Sequence, residues 1–399
     1  MITQRQLFFN HLAQTSDMPL ALEIEKAEGM YLTDVYGNRY MDLISGISVS
    51  NVGHRHPKVV SAIKNQLDKY MHLMVYGEYI QSPQVQLATL LTSLLPKNLS
   101  SVYFVNSGSE AVEGAMKLAK RYTGRTEIVS FNNAYHGSTQ GSLSIMGNEE
   151  FKNAFRPLLP DVKQIRFNNS VDLQEITERT ACVIVETIQG EAGAIVPEND
   201  FLKELSKRCK EVGALLVADE IQCGFGRTGK LFTFEHYDFV PDVMTIAKGM
   251  GGGMPIGAFI SSNEIMNSLT NNPILGHITT FGGHPVCCAA SMAVLSILLE
   301  GNLMGEVAAK EQLFRELLVH PKIKSINGKG LLLSVEFESY ELNKAIIDRC
   351  IANGVISDWF LFNANSMRIA PPLIITEDEI RFACNVILQS IEKAFYSNI

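Results

Sequence analysis

The chain has 399 residues, 46% of them hydrophobic and 19% charged, with a formal net charge of −8. That balance excludes a disordered polypeptide and gives no electrostatic reason to expect a nucleic-acid partner. The length admits two or three domains around a large buried core, and the longest apolar stretches stop well short of a membrane span.

Residues 1–6 are polar and carry no apolar signal core. The seven cysteines, Cys182, Cys209, Cys223, Cys287, Cys288, Cys350 and Cys384, show no CxxC pattern, which predicts free thiols in a reducing cytoplasm. His54 and His56 stand two apart, so in an extended segment they point away from each other and make a poor metal pair. Residues 57–67 carry apolar side chains at helical spacing behind a proline suited to a first turn. Residues 102–105 read as a short buried strand, and Ser109-Glu110-Ala111 opens a helical pattern behind it. Further buried strands are predicted at 128–131, 182–185, 214–218, 243–246 and 258–260. Their runs are continuously apolar rather than alternating, as in strands covered on both faces. The predicted fold class is therefore α/β, a mostly parallel helix-flanked sheet. Beyond Gly301 two helical patterns, 303–319 and 376–395, flank a strand at 331–337. They predict a smaller α+β domain over 301–399, joined by residues 1–50, beside a large domain over 51–300.

The chemistry lies at the ends of the strands. The run 214–218 ends in Asp219, and the run 243–246 is followed by Lys248 among Gly249, Gly251, Gly252 and Gly253. A carboxylate at the end of so apolar a run needs a partner. A lysine and an acid meeting at one sheet edge are what pyridoxal 5'-phosphate (PLP) requires: the amine bonds the aldehyde, and the acid keeps the pyridine nitrogen protonated. Ser107-Gly108-Ser109 lies between a strand and a helix, where free N–H groups suit a phosphate. An ordinary serine N-cap would look the same, but Lys248 and Asp219 in the same chain favour the anion cradle. Tyr135, in Tyr135-His136-Gly137, is placed to stack on a pyridine ring. Gly226-Arg227-Thr228-Gly229-Lys230 is no P-loop, because Leu231 replaces the required Ser or Thr.

Together these residues resemble the class III aminotransferases, within fold type I of the PLP enzymes. The matches run in order from Gly46-Ile47-Ser48-Val49 and Gly53-His54-Arg55-His56-Pro57 through Asn106 to Ala111, Tyr135-His136-Gly137 and Val185 to Glu191. They continue through Asp219 to Gly229, Ala247 to Pro255, Thr279 to Gly283 and Arg368 to Pro372. Within the class the pattern is most similar to acetylornithine and ornithine aminotransferases, with 4-aminobutyrate aminotransferases near.

The resemblance implies roles. Lys248 and Asp219 are the catalytic pair, and Gln222 donates to the cofactor's ring hydroxyl. Ser107, Gly108 and Ser109 hold the phosphate, and Tyr135 stacks on the ring. Thr280 binds the phosphate of a neighbouring subunit, which implies a homodimer with shared sites. Arg368 clamps a substrate carboxylate, Glu191 pairs with that arginine in one half-reaction and releases it in the other, and Thr279 joins them in substrate binding. The implied reaction moves an amino group from N-acetylornithine or ornithine to 2-oxoglutarate. The alternatives are 4-aminobutyrate or another ω-amino donor, or a decarboxylase, mutase or lyase on the same fold. The sequence departs from the family at four places: Ser109 where Thr is commoner, a change that keeps the hydroxyl, Thr187 where Pro is usual, His284 where Asn is frequent, and Ser138 where an Arg usually binds a substrate carboxylate.

Overall fold

The computed structural model describes residues 2–75 and 77–396. Three short strands, β1 (Ile24–Glu28), β2 (Tyr31–Asp34) and β3 (Arg39–Asp42), form an antiparallel meander near the start of the chain. Seven strands then build the main sheet: β4 (Ser101–Val105), β5 (Glu127–Phe131), β6 (Val162–Ile165), β7 (Thr180–Glu186), β8 (Leu215–Asp219), β9 (Val243–Ile246) and β10 (Gly257–Ser261). Their order is β4-β10-β9-β8-β7-β5-β6. All pairings are parallel except those of β10, which runs antiparallel to both neighbours. The fold class is thus the predicted α/β arrangement, a helix-flanked and mostly parallel sheet.

The apolar runs explain the sheet's placement. Every residue of β5, β7, β8, β9 and β10 is buried. At roughly 1.5–3 kcal/mol for each buried Val, Leu or Ile, these strands contribute a large share of the apolar burial. The helix Gly108–Thr123 covers one face with Ala111, Val112, Ala115, Met116, Leu118 and Ala119 buried. Gly114 lets it approach, since a Cβ there would lie 2.3 Å from the Phe259 ring. The helix starts at Ser107, whose Oγ accepts from the Glu110 N–H at 3.2 Å, and stops at Gly124, which takes a left-handed φ of 70°.

The last third carries β11 (Ser325–Lys329), β12 (Leu332–Glu336), β13 (Val355–Ile356), β14 (Trp359–Phe360) and β15 (Asn363–Ile369). Four of these make an antiparallel sheet in the order β11-β12-β15-β14, while β13 pairs in parallel with β3. The predicted helices are found as Leu303–Leu317 and Glu377–Tyr396. A further helix, Tyr340–Ala352, which the periodicity did not single out, lies between them.

Arg227 ties distant segments together. Wholly buried, it donates to the carbonyls of Leu331 (3.0 Å) and Pro371, to the Ser45 hydroxyl (3.2 Å) and to the Asn51 amide oxygen. Burial pushes its pKa down to about 9. The histidines of residues 54–56 are likewise structural in their contacts: His54 bonds Asp42 at 2.7 Å, and His56 caps the helix Pro57–Leu67. All seven cysteines are free and buried. No single helix among the described residues is long and apolar enough to cross a membrane.

Candidate active site

Parallel strands deliver their following residues to one edge of the sheet, the usual place for a ligand in α/β folds. Here β4 leads to Ser107, β5 to Tyr135, β7 to Glu186, β8 to Asp219 and β9 to Lys248. Glu186 pairs directly with Asp219 across the sheet, and Asp219 with Thr245. Ser107, Tyr135, Glu186, Asp219 and Lys248 line one cavity of about 370 Å³, together with Gly108, Ser109, His136, Gly137 and Gln222.

Each group is held by identifiable contacts. Asp219 accepts from His136 Nδ1 at 2.7 Å and from the Ile221 N–H at 3.0 Å. Burial opposes charge on His136, but Asp219, and behind it Glu186, hold its pKa above the ordinary value. Glu186 accepts from the N–H groups of Tyr135 (2.8 Å) and Gly190 (2.9 Å), so it fixes both loops beside the cavity. Burial pushes its carboxyl up to about 7. The neighbouring Glu220 is also raised to about 7 by burial, against donors from Thr187, Thr233, Phe234 and Cys223.

Lys248 sits at the cavity wall with a left-handed φ of 46°, a backbone state that costs a non-glycine residue energy and is common at active sites. Burial holds its ammonium below the ordinary pKa, with Glu191 pulling the other way. At the opposite end, Gly108 and Ser109 begin a helix, so their N–H groups have no intrahelical acceptor and face the positive end of its dipole. Gly137 makes this cradle possible. Its φ is 121°, and a Cβ there would fall 2.1 Å from Ser109 Oγ.

A second cluster adjoins the first. Arg368, almost wholly buried, donates through Nη1 and Nη2 to the two carboxylate oxygens of Glu191, at 3.0 and 2.9 Å. Its Nε donates to Asp358 at 2.9 Å. Burial disfavours the Glu191 charge, yet Arg368 holds that carboxyl below its ordinary value. Burial pushes Asp358 up, with Arg368 opposing. Gln222 reaches Glu191 at 3.4 Å and thereby links the clusters.

Two predicted residues lie elsewhere. Thr280 is exposed and lines no part of this cavity. Thr279 accepts from Asn106 Nδ2 at 2.9 Å but lines a separate surface cavity with Tyr103, Gln84 and Ile278. Within one chain neither threonine lines the strand-end cavity, although Thr279 bonds Asn106, which does. Conversely, Glu186 lines the cavity and Asp358 joins the adjoining Arg368 cluster, and neither is among the residues the sequence predicts for the site. Glu186 ends the apolar run 182–185 just as Asp219 ends 214–218, so the same signal would have found it. Asp358 has no local signal.

An anion cradle, a flat wall, a buried acid and a lysine around one cavity suit a flat phosphorylated pyridine bearing an aldehyde. Residues 12–391 match the Aminotransferase class-III family, and the chain belongs to it. The protein is an aminotransferase. It is 39% identical over 377 residues to the acetylornithine aminotransferase of Methanopyrus kandleri, covering 94% of each chain. Its fold matches that of ornithine aminotransferase from Toxoplasma gondii with a TM-score of 0.91 at 28% identity, over 98% of this chain and 94% of that one. An adenosylmethionine-8-amino-7-oxononanoate aminotransferase from Methanocaldococcus jannaschii gives 0.91 at 29% identity, over 98% of both chains.

Proposed function

We propose that this aminotransferase holds pyridoxal 5'-phosphate in the strand-end cavity and moves an amino group from an ω-amino donor, N-acetylornithine or ornithine, to 2-oxoglutarate. The observation that carries the reading is the convergence of Lys248, Asp219 and the Gly108–Ser109 helix start on one cavity. The crystal structure of the T. gondii relative has PLP in partial occupancy at its active site. Bound here, the cofactor supplies an electron sink for the donor carbon's electrons.

The chain's own residues do the rest. Gly108 and Ser109 bind the phosphate, with Ser107 holding the turn, and Tyr135 covers the ring. Asp219, steadied by His136, holds a proton at the pyridine nitrogen. Gln222 donates to the ring hydroxyl. Lys248 would hold the cofactor by its aldehyde, and its amine, once free, would serve as the general base and acid that moves the donor carbon's proton. Arg368 receives the acceptor's carboxylate once Glu191 releases it, through a fork whose geometry matches a carboxylate. Thr280, exposed and away from its own cavity, serves the site of a partner subunit in a homodimer, with Thr279 beside it. In this reading residues 51–300 carry the cofactor, and residues 1–50 join 301–399 in a smaller domain.

Ser138 favours a second reading of the donor. Its hydroxyl lies 3.3 Å from the Tyr135 hydroxyl and supplies no charge for a substrate carboxylate. An ω-amine lacking a carboxylate at that end would then be preferred. The test is a screen of N-acetylornithine, ornithine, 4-aminobutyrate and simple diamines, each with 2-oxoglutarate and with pyruvate, reading glutamate or alanine. Glutamate formed fastest from N-acetylornithine or ornithine supports the first reading. Fastest turnover of an uncarboxylated amine moves the assignment to the second. Alanine formation outpacing glutamate with every donor rejects 2-oxoglutarate as acceptor.

A further inference from the structure

Arg368 is gripped on two edges by acids from two different parts of the chain. Glu191 takes both terminal nitrogens, the end-on fork that an incoming carboxylate would need. Asp358 takes only Nε, on the side edge, at 2.9 Å. With Nε occupied, the guanidinium can offer only its end-on fork to a second carboxylate.

The two acids are also anchored differently. Glu191 follows β7 of the main sheet and is held in place by the Leu361 N–H at 3.1 Å as well as by Arg368. Asp358 lies between β13 and β14, on the backbone that carries Arg368 itself. The Arg368 N–H donates to the Asp358 carbonyl at 2.9 Å, and the adjacent Ser357 hydroxyl donates to the Arg368 carbonyl at 2.7 Å. The guanidinium also lies over the Phe360 ring, 4.3 Å from its centroid. If Glu191 leaves, Asp358 stays with the arginine.

We propose that Asp358 is a positioning residue: it holds the Arg368 guanidinium on its side edge, so that the end-on fork stays aimed at the cavity when Glu191 gives way to a substrate carboxylate. The proposal deepens the Glu191–Arg368 exchange described above and rests on it. It separates two functions that one ion pair could not combine, namely letting go of the arginine and keeping it in place.

The experiment uses the cofactor-loaded enzyme and follows each half-reaction in single turnover by the cofactor's absorbance, with the preferred donor and then with 2-oxoglutarate. Binding of glutarate, a dicarboxylate that cannot react, is measured in parallel. Asp358→Ala is expected to slow the acceptor half-reaction, as kcat/KM, at least tenfold more than the donor half-reaction, chiefly through KM. It should weaken glutarate binding by a similar factor. Asp358→Asn retains an acceptor for Nε–H and should recover most of both losses. Equal losses in the two halves, or a lower acceptor KM from relief of negative charge, would overturn the proposal. Should the alanine variant not fold, the asparagine and Asp358→Leu variants carry the same comparison. Arg368→Lys is the control for the underlying reading: intact acceptor turnover in that variant sinks the exchange itself, whereas its loss together with an unaffected Asp358→Ala sinks only the role given to Asp358.

Discussion

Two buried arginines differ in what holds them: one joins uncharged groups, and the other is paired with side-chain acids. Arg227 donates only to uncharged groups, the carbonyls of Leu331 and Pro371, the Ser45 hydroxyl and the Asn51 amide. Arg368 faces two carboxylates. Burial drags Arg227 down to about 9, while Glu191 and Asp358 hold Arg368 above its ordinary value despite the same burial. A carbonyl cannot leave without unfolding backbone, whereas a carboxylate on a side chain can be replaced by one on a substrate. The partner's chemistry, not the arginine's burial, separates a rivet from the exchangeable clamp proposed for Arg368.

Three experiments sharpen or break this contrast. The largest effect is expected from Lys248→Ala, which should lower multiple-turnover transamination by about a thousandfold or more, in the range of losing a general acid–base. Its apo-form melting temperature should barely move, because the lysine contributes chemistry rather than cohesion. Normal turnover in this variant would end the mechanism. Next comes Arg227→Ala, expected to cost roughly 3–5 kcal/mol in chemical denaturation, from orphaned buried acceptors and a cavity. A stable Arg227→Ala protein with impaired keto-acid binding would reverse the roles assigned to the two arginines.

The smallest effect concerns Glu220, a buried acid that joins like Arg227 but titrates. Its folded pKa is raised from 4.5 to about 7 by burial, so the folded state holds the extra proton between those values. Its contribution to stability is therefore full below pH 4.5 and is lost as pH rises through about 7. Glu220→Gln should flatten the fall of denaturation free energy over that window by on the order of 3 kcal/mol at most. Glu186 titrates in the same window and leaves a residual slope. An unchanged slope in the variant would show that Glu220 stays ionised throughout.

What the sequence made legible follows from range. Lys248 and Asp219 were readable because each ends a continuous apolar run, and parallel strands place such ends side by side. Gly108 and Ser109 were readable because a helix start is local. The small antiparallel sheet was only partly so: β12 is apolar, but β11 and β15 carry mixed residues whose burial depends on cover from elsewhere. The pairing of β3 with β13 joins residues more than 300 apart, and no local pattern announces it. Arg227 was invisible as a core residue, since arginine in a sequence reads as surface. Asp358 was invisible because its meaning comes from Arg368, ten residues on and reached only when the hairpin closes.

Every native thiol in this fold is enclosed, and burial raises those of Cys182, Cys223, Cys288 and Cys384 far from the nucleophilic thiolate form. A maleimide should thus ignore the folded wild-type chain. One cysteine engineered on the surface would give a single attachment point for a fluorophore or spin probe without first stripping out seven others. Distances within the working enzyme, including any that the proposed release of Arg368 by Glu191 would change, then become directly measurable.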